Sequence, residues 1–152
     1  MNKNEDKSSL TFTFRKASDN DISYLVALRK ETMTPHLLTA GLVYTDEQHI
    51  ERITEYFSDS YLICLEGQPI GLIKLAQTKT NWHIRQLQIA CRMQGKGLGT
   101  KLLTLLQSKA QALNVSITLN VLFKNPALAL YQRCGFKVIG ENALEYQMRW
   151  RP

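Results

Sequence analysis

The chain has 152 residues, of which 44% are apolar and 21% charged, the composition of a globular protein with a sizeable core. No run of 18 apolar residues occurs, so the sequence predicts no transmembrane helix. Cys64, Cys91 and Cys134 are isolated and odd in number, which argues against a disulfide framework or zinc site and predicts a reducing, cytoplasmic environment.

The net charge of +6 is unevenly distributed along the chain. Residues 1–75 hold 8 basic and 11 acidic side chains, whereas residues 76–152 hold 11 basic and only 2 acidic ones. We therefore expect the second half to meet an anionic partner. Composition leaves open whether that partner is nucleic acid, a membrane surface or a phosphorylated small molecule.

The chain begins with a polar segment that precedes a predicted strand and helix. Residues 1–9 are polar and of mixed charge, and we expect them to form a disordered tail. Residues 10–15 (LTFTFR) alternate as a strand does. Ser18 and Asp21 form a capping-box pattern that opens a helix, and residues 33–44, with Pro and Gly, show only weak periodicity.

The middle of the chain predicts a second helix and a hairpin. Thr45 and Gln48 form another capping box at the start of the helix. Residues 60–66 (SYLICLE) and 70–78 (IGLIKLAQT) have strand character, and the turn between them is assigned to residues 67–69 (GQP). Alternating elements without a linker or repeat predict one mixed α/β domain.

The second half continues the alternation. Further strands are predicted at 82–91, where imperfect alternation indicates a bulge, and at 115–122, 136–140 and 144–150. The clearest helix covers residues 97–113, with Leu or Ala recurring every three or four positions. A short helix over residues 126–134 ends at Gly135.

The segment most informative about chemistry is 94–101 (QGKGLGTK), which joins a strand to an amphipathic helix. Three glycines in five positions allow unusual backbone angles and close approach of a ligand. The free N–H groups at a helix N-terminus then form a site suited to a pyrophosphate. The segment does not supply the P-loop pattern GxxxxGK[ST] in any frame. It also departs from the dinucleotide fingerprint GxGxxG, because its third glycine comes one residue early.

Two segments resemble the GNAT superfamily of acetyl-CoA-dependent N-acetyltransferases. Gln94-x-x-Gly97-x-Gly99 resembles its Q/R-x-x-G-x-G/A signature, and residues 125–136 (NPALALYQRCGF) resemble its Asn, Ala, Leu-Tyr, Gly-Phe segment. The predicted order β-α-α-β-β-β-α-β-α-β-β also matches. The resemblance implies one acetyltransferase domain over residues 10–152, an α/β (α+β) fold. It would contain a central, mixed, mostly antiparallel sheet, splayed parallel strands four and five, and about four helices.

The resemblance also implies how acetyl-CoA is bound. Main-chain groups of Leu87 and Ile89 would hold pantetheine, with the Ile89 N–H polarising the thioester carbonyl. Backbone N–H groups of the glycine loop would bind the pyrophosphate. The implied cofactor-binding residues are Leu87, Gln88, Ile89, Gln94, Gly95, Lys96, Gly97, Leu98, Gly99, Thr100 and Asn125. Asn125 departs from the pattern of many members, which have asparagine one position earlier, where Lys124 stands. Arg92, Lys96 and Lys101 either add charge at the rim or are ordinary surface side chains.

Two side chains are the candidates for catalysis. Tyr131 matches the family tyrosine that protonates the departing CoA thiolate, the alternative being an aromatic packed in the core. His83, six residues before Ile89, is the candidate general base: its position resembles the one that holds the catalytic glutamate of histone acetyltransferases and a histidine of serotonin N-acetyltransferases. Histidine also has a suitable pKa, and the alternative is a strand-end histidine in a partly solvated turn. Residues of about 29–45, with help from the last strands, are expected to form the acceptor pocket. Tyr44, His36 and Glu31 either line it or are ordinary surface side chains.

The resulting prediction is an enzyme that transfers an acetyl group from acetyl-CoA to a primary amine of a small molecule or peptide in a ternary complex. A non-catalytic acetyl-CoA-binding regulatory module is the alternative. A nucleic-acid binder is disfavoured, because no predicted helix carries a Lys/Arg stripe. No metal and no membrane partner are expected. Homodimers are frequent in the family, and no segment of the sequence specifies one.

Overall fold

The computed structural model describes residues 11–152. Its helices and strands, in chain order, are β1 (Phe12–Lys16), α1 (Ile22–Thr39), α2 (Asp46–Thr54), β2 (Ser60–Leu65), β3 (Gln68–Gln77), β4 (Asn81–Ile89), α3 (Leu98–Leu113), β5 (Ser116–Leu122), α4 (Ala127–Arg133), β6 (Lys137–Glu141) and β7 (Glu145–Trp150). This is the order that the sequence predicts. The disordered tail expected over residues 1–9 lies outside the described residues.

The seven strands form one sheet in the order β1-β2-β3-β4-β5-β7-β6. Within residues 11–152, every neighbouring pair of strands is antiparallel except β4 and β5, which are parallel. The prediction of a mixed, mostly antiparallel sheet with four helices is therefore confirmed.

Each face of the sheet carries its own hydrophobic cluster, because alternate side chains of a strand point to opposite faces. On one face, α3 and α4 pack through Leu102, Leu106 and Tyr131. On the other face, α1 and α2 pack through Leu25 and Ile53. The sheet thus separates α1 and α2 from α3 and α4.

The parallel strands β4 and β5 separate after a short paired stretch. Their pairing runs from Asn81↔Ser116 to Ile84↔Leu119 and then stops, although β4 continues to Ile89. A register shift against β3 between Lys74 and Leu75 leaves Arg85 of β4 as an extra residue. Such a bulge bends its strand, so the rest of β4 diverges from β5 and leaves an open gap. The predicted splay and bulge are both confirmed.

The structure corrects the turn between β2 and β3. Glu66 and Gly67 are its central residues, with φ of 52° and 77°, so the turn lies one position earlier than residues 67–69. A two-residue hairpin with positive φ at both central positions matches the twist of the flanking strands. Pro69 belongs to β3, where a register shift opposite Cys64 accommodates a residue without an N–H group.

Helix α1 continues through Pro35 to Thr39, across a segment whose sequence has only weak periodicity. Proline lacks the N–H that would bond to the carbonyl of Glu31, four residues earlier. That carbonyl faces the thiol of Cys91, with Sγ at 3.8 Å, while the Cys91 N–H donates to the Glu31 carboxylate at 3.3 Å. The loop after β4 therefore contacts the exposed middle of α1.

Candidate active site

The loop between β4 and α3 leaves backbone donors free at the start of a helix. Gly95 and Gly97 both have φ of 75°, which positions the chain for entry into α3. The Lys101 N–H donates to the Gly97 carbonyl at 3.2 Å, the first bond of the helix. No acidic residue and no side-chain cap is present in this first turn. The N–H groups of residues 98–100 can thus bind an anion.

The glycines of this loop serve different purposes. A Cβ on Gly99 would lie 2.9 Å from Cδ2 of Leu130, so this glycine allows α4 to pack closely against the start of α3. A Cβ on Gly95 or Gly97 would meet no atom within 4 Å. The space in front of Gly95 and Gly97 is consequently open to a ligand.

A cavity of about 380 Å³, here called the glycine-loop cavity, joins β4, the loop and α4. It is lined by ten of the eleven predicted cofactor-binding residues together with Tyr131, namely Leu87, Gln88, Ile89, Gln94, Gly95, Gly97, Leu98, Gly99, Thr100 and Asn125. Lys96 is exposed and outside this lining. The structure therefore brings together the two segments that the sequence analysis singled out.

The end of β4 offers main-chain groups to the gap. Ala90 donates its N–H to the Ile70 carbonyl at 2.8 Å, and residues bonded to an antiparallel partner alternate along a strand. Leu87 and Ile89 therefore direct their N–H and carbonyl groups away from β3, towards the gap. The Ile89 carbonyl already accepts a bond from Nε2 of Gln94 at 2.9 Å. The N–H groups of Leu87 and Ile89 are the donors that remain for a ligand.

A second cavity, here called the splay cavity, occupies the gap between β4 and β5 on the side of α1. It has about 160 Å³ and shares Met33, Leu87, Gln88, Asn125 and Tyr131 with the glycine-loop cavity. Arg29, Tyr44 and Glu145 are among the other lining residues. Tyr131 and its neighbours thus lie where the two cavities meet.

Tyr131 is 8% exposed and its ring packs edge-on against Phe136, with the ring centroids 5.8 Å apart. Burial disfavours the phenolate and raises the pKa of Tyr131 to about 12. The hydroxyl consequently holds its proton throughout the physiological pH range. Tyr131 is thus a core aromatic that lines both cavities and keeps its proton, and its role as the proton donor stays a prediction.

Asn125 has a structural task at the start of α4. Its Oδ1 accepts a bond from the Ala127 N–H at 2.9 Å and satisfies a donor of the first turn. Its Nδ2 remains as the donor that a ligand could use, and the residue lines both cavities.

His83 lies apart from the group around Tyr131. Its Nδ1 is 2.8 Å from the hydroxyl of Thr118 on β5, in the paired part of the two strands. It lines a third cavity of about 170 Å³ with Arg85 and Glu145, which adjoins the splay cavity but does not include Tyr131. Burial, and then the charge of Arg85, hold the pKa of His83 below its usual 6.5. The role of His83 as a base stays a prediction.

Arg92 and Lys101, which were candidates for added positive charge, lie outside the lining of the glycine-loop cavity. Arg92 is exposed and donates to the Pro69 carbonyl at 3.1 Å, and Lys101 is exposed on α3. Of the predicted acceptor-side residues, Tyr44 lines the splay cavity and His36 the glycine-loop cavity. Glu31 lines neither and bonds to the Cys91 N–H instead.

Arg29, a buried arginine on α1 that lines the splay cavity, falls within the range expected to form the acceptor pocket but was not among the named lining candidates. A signal for it was present in the helical pattern. Ile22, Leu25 and Val26 mark the inward face of this helix, and position 29 continues the i, i+3, i+4, i+7 spacing. An arginine on an apolar stripe is uncommon and draws attention to what it binds.

Two further observations concern residues 11–152. No group of three or more His, Cys, Asp or Glu side chains there could hold a metal ion. None of the helices in this part of the chain has the length and apolar character needed to cross a membrane.

Several solved structures of acetyltransferases share this fold. The PaiA N-acetyltransferase of Thermoplasma acidophilum, in complex with coenzyme A, has a TM-score of 0.73 at 18% identity, covering 94% of this chain and 100% of its own. Naa50 of Arabidopsis thaliana, in complex with the bisubstrate analogue CoA-Ac-MVNAL, has a TM-score of 0.62 at 18% identity, covering 94% and 100%. N-acetylglutamate synthase of Neisseria gonorrhoeae, complexed with coenzyme A and N-acetyl-glutamate, has a TM-score of 0.63 at 18% identity, covering 93% and 35%.

The acetyltransferase (GNAT) domain family matches residues 31–152 of the sequence. The chain therefore belongs to the GNAT acetyltransferase family. The comparison with curated proteins found no match. Family membership confirms the resemblance drawn from the two sequence segments, and with it the fold, acetyl-CoA as the acetyl donor and the class of acetyl-CoA-dependent acyltransferase.

Proposed function

We propose that the protein is an N-acetyltransferase that moves the acetyl group of acetyl-CoA directly to a primary amine in a ternary complex. The observation that carries this proposal is the position of Tyr131, a buried tyrosine that keeps its proton and lines both the glycine-loop cavity and the splay cavity. One cavity has the donors that CoA needs, and the other has room for an acceptor. Direct transfer requires two such sites that meet at one proton donor.

The residues of the glycine-loop cavity fit acetyl-CoA. The free N–H groups of residues 98–100 suit the pyrophosphate, because the positive end of a helix dipole favours an anion. The N–H groups of Leu87 and Ile89 suit pantetheine and the thioester carbonyl, as an added strand would along β4. Asn125 offers Nδ2 at the junction. Acetyl-CoA supplies an activated acyl carbon joined to a thiol leaving group.

The proposed reaction is a single exchange of bonds. The neutral amine attacks the thioester carbon, so that a C–N bond forms and the C–S bond breaks. Backbone N–H groups of β4 stabilise the negative charge that develops on the carbonyl oxygen. Tyr131 donates its proton to the departing thiolate, and the proton of the attacking amine passes to a base, directly or through water. Tyr131 then recovers a proton from solvent.

His83 is proposed as that base, and its low pKa makes the proposal testable. If His83 takes the proton, kcat/KM rises with pH through a pKa below 6.5, because burial and Arg85 disfavour the imidazolium. At higher pH, kcat/KM rises again as the acceptor's ammonium group loses its proton to give the neutral amine. Replacing His83 with Gln should remove the lower limb and reduce kcat/KM by about 100-fold. The measurement is the pH profile of kcat/KM for the wild type and His83→Gln.

His36→Gln is the matched control for this experiment. His36 lines the glycine-loop cavity rather than the one that holds His83, so its loss should leave the lower limb in place. A His83→Gln enzyme that keeps the wild-type profile assigns the proton transfer to another group.

The class of acceptor follows from the small splay cavity and from the fold neighbours. A volume of about 160 Å³ admits a small molecule or the end of a peptide. The neighbours bind a peptide-based analogue and N-acetyl-glutamate, which supports an amine acceptor of either kind.

Release of CoA from acetyl-CoA in the presence of a broad panel of amines tests the proposed function. We expect at least one amine class to be acetylated, with the product identified by mass. Tight binding of acetyl-CoA without turnover of any amine would instead favour a regulatory acetyl-CoA-binding module.

A further inference from the structure

Arg29 is a buried cation without an acidic partner. It lies on α1, is 3% exposed, and lines the splay cavity that Tyr131 also lines. Its Nη1 donates to Oε1 of Gln86 at 3.3 Å, and its buried Nε has no partner. Among the described residues, no carboxylate lies within 4.0 Å of its guanidinium. Burying a charge in this way is costly unless something compensates it.

The other cations nearby are compensated by the protein itself. Arg85 pairs with Asp59 at 3.1 Å, and Arg52 lies 3.8 Å from Glu55. The Nζ of Lys74 is held by main-chain carbonyls at the end of α2, including that of Ile53 at 2.9 Å. In the part of the chain that the structure describes, Arg29 has no carboxylate or main-chain carbonyl of this kind. The protein offers it the Tyr44 ring, whose centroid lies 5.7 Å from Cζ, and the charge of Arg52 makes its environment less favourable.

Arg29 remains charged at neutral pH despite this environment. Burial and the neighbouring Arg52 lower the pKa of Arg29 to about 10, which still leaves it protonated at pH 7. Its fork of N–H donors is therefore available to an anion that enters the splay cavity. The planar guanidinium matches a carboxylate with two parallel hydrogen bonds.

Gln88 provides a second buried polar group without a hydrogen-bond partner, and it also lines the splay cavity. It is buried, its Oε1 has no partner, and it lines both cavities. An oxygen at the junction can accept a hydrogen bond from the amine that is to be acetylated. The splay cavity thus offers an acceptor for an amine at the junction and a cation for an anionic group further along.

We propose that the acceptor is an amino acid or a comparable amino-carboxylate, with its carboxylate bound by Arg29 and its amine held by Gln88 beside Tyr131. This inference rests on the proposed function and narrows it to one substrate class. The volume of about 160 Å³ suits an acceptor of amino-acid size, since drug-sized ligand pockets are larger.

The test uses acceptors that differ in the anionic group, with kcat/KM expressed per concentration of neutral amine, because a carboxylate also raises the pKa of a neighbouring amine. Each amino acid is compared with its carboxamide and with the amine that lacks the carboxyl group, and an aminoalkyl carboxylate is compared with an aminoalkyl phosphate of equal length. For the wild type, we expect kcat/KM to favour the carboxylate by about 10- to 100-fold, the effect of one charged hydrogen-bonding pair. Equal rates for acids and carboxamides overturn the inference, as does preference for the phosphate.

Replacing Arg29 with methionine should abolish this preference. The ratio of kcat/KM between an acid and its carboxamide falls to about one, whereas the affinity for acetyl-CoA is retained. The melting temperature rises, because a buried charge that has only the Tyr44 ring and one bond to Gln86 as partners is replaced by an apolar side chain of similar length. Arg29→Lys keeps the charge but loses the fork, so it lowers the ratio only in part.

Arg15→Met is the matched control, since Arg15 lies on β1, pairs with Asp21 just before α1, and lines none of the three cavities. It should leave the preference for carboxylates unchanged. A preference that survives in both Arg29 variants overturns the inference. Failure of the proposed function is distinct, since the wild type would then acetylate no amine, with or without a carboxylate.

Discussion

Replacement of Tyr131 by phenylalanine is expected to lower kcat by about 100- to 1000-fold, which corresponds to about 3–4 kcal/mol of activation free energy. The hydroxyl is the donor shared by the two cavities, and its pKa of about 12 keeps it protonated at neutral pH. Phenylalanine keeps the ring and its edge contact with Phe136, so the core stays filled. The affinity for acetyl-CoA, measured by calorimetry, should therefore stay close to that of the wild type.

Tyr146→Phe is the control for loss of a tyrosine hydroxyl in the same half of the molecule. Tyr146 packs edge-on against Phe123, with ring centroids 4.7 Å apart, and lines none of the three cavities. It should keep the wild-type kcat. If Tyr131→Phe does so as well, the thiolate is protonated by another group, and Tyr131 serves only the packing of the core.

Much of the fold could be predicted because the sequence patterns are local. Capping boxes are read within four residues, and both Ser18 with Asp21 and Thr45 with Gln48 form in the structure. The splay of β4 and β5 also left a trace, since the imperfect alternation of residues 82–91 reflects the bulge at Arg85. Features of secondary structure that depend on contacts between distant residues were harder to predict from the sequence. Helix α1 continues past Pro35, and the hairpin turn falls at Glu66 and Gly67.

The candidate site divides in the same way. The glycine loop and the segment around Tyr131 are contiguous motifs, and the structure gathers them in one cavity. The splay cavity is built from α1, β4, β5 and β7, so no single segment of sequence describes it. The helical spacing places Arg29 on the inward face of α1, but its burial and its lack of an acidic partner are properties of the packed molecule.

The positions of the cavities show which part of the uneven charge distribution lies near each candidate binding site. The excess of basic residues after position 75 accompanies the glycine-loop cavity, which suits the phosphates of CoA. The first half is acidic overall, which would favour a purely cationic acceptor. Yet this half contributes Arg29 and Arg52 to the splay cavity, so the local charge there opposes the average. Specificity follows the few charges that line a site rather than the sum over half a chain.

The second large effect is expected at Gly97, where aspartate should weaken acetyl-CoA binding by about 100-fold, or roughly 3 kcal/mol. Gly97 has φ of 75° and faces open space at the start of α3. Aspartate tolerates this left-handed conformation better than most residues, so the loop keeps its shape. The new carboxylate then lies where the helix N–H groups are free to meet phosphate. Calorimetric titration with CoA at several salt concentrations measures the effect, which shrinks as salt screens the repulsion.

Two variants separate charge from shape and from backbone strain. Gly97→Asn has nearly the same size without the charge, so it should retain most of the affinity for CoA. Gly67→Asp introduces the same side chain at φ of 77° in the turn between β2 and β3, again with no atom within 4 Å of the added Cβ. Gly67→Asp should change the melting temperature by about as much as Gly97→Asp does, while CoA binding stays unaltered. If all three variants bind CoA as the wild type does, the phosphates lie elsewhere, and the free N–H groups of α3 are not the anion site.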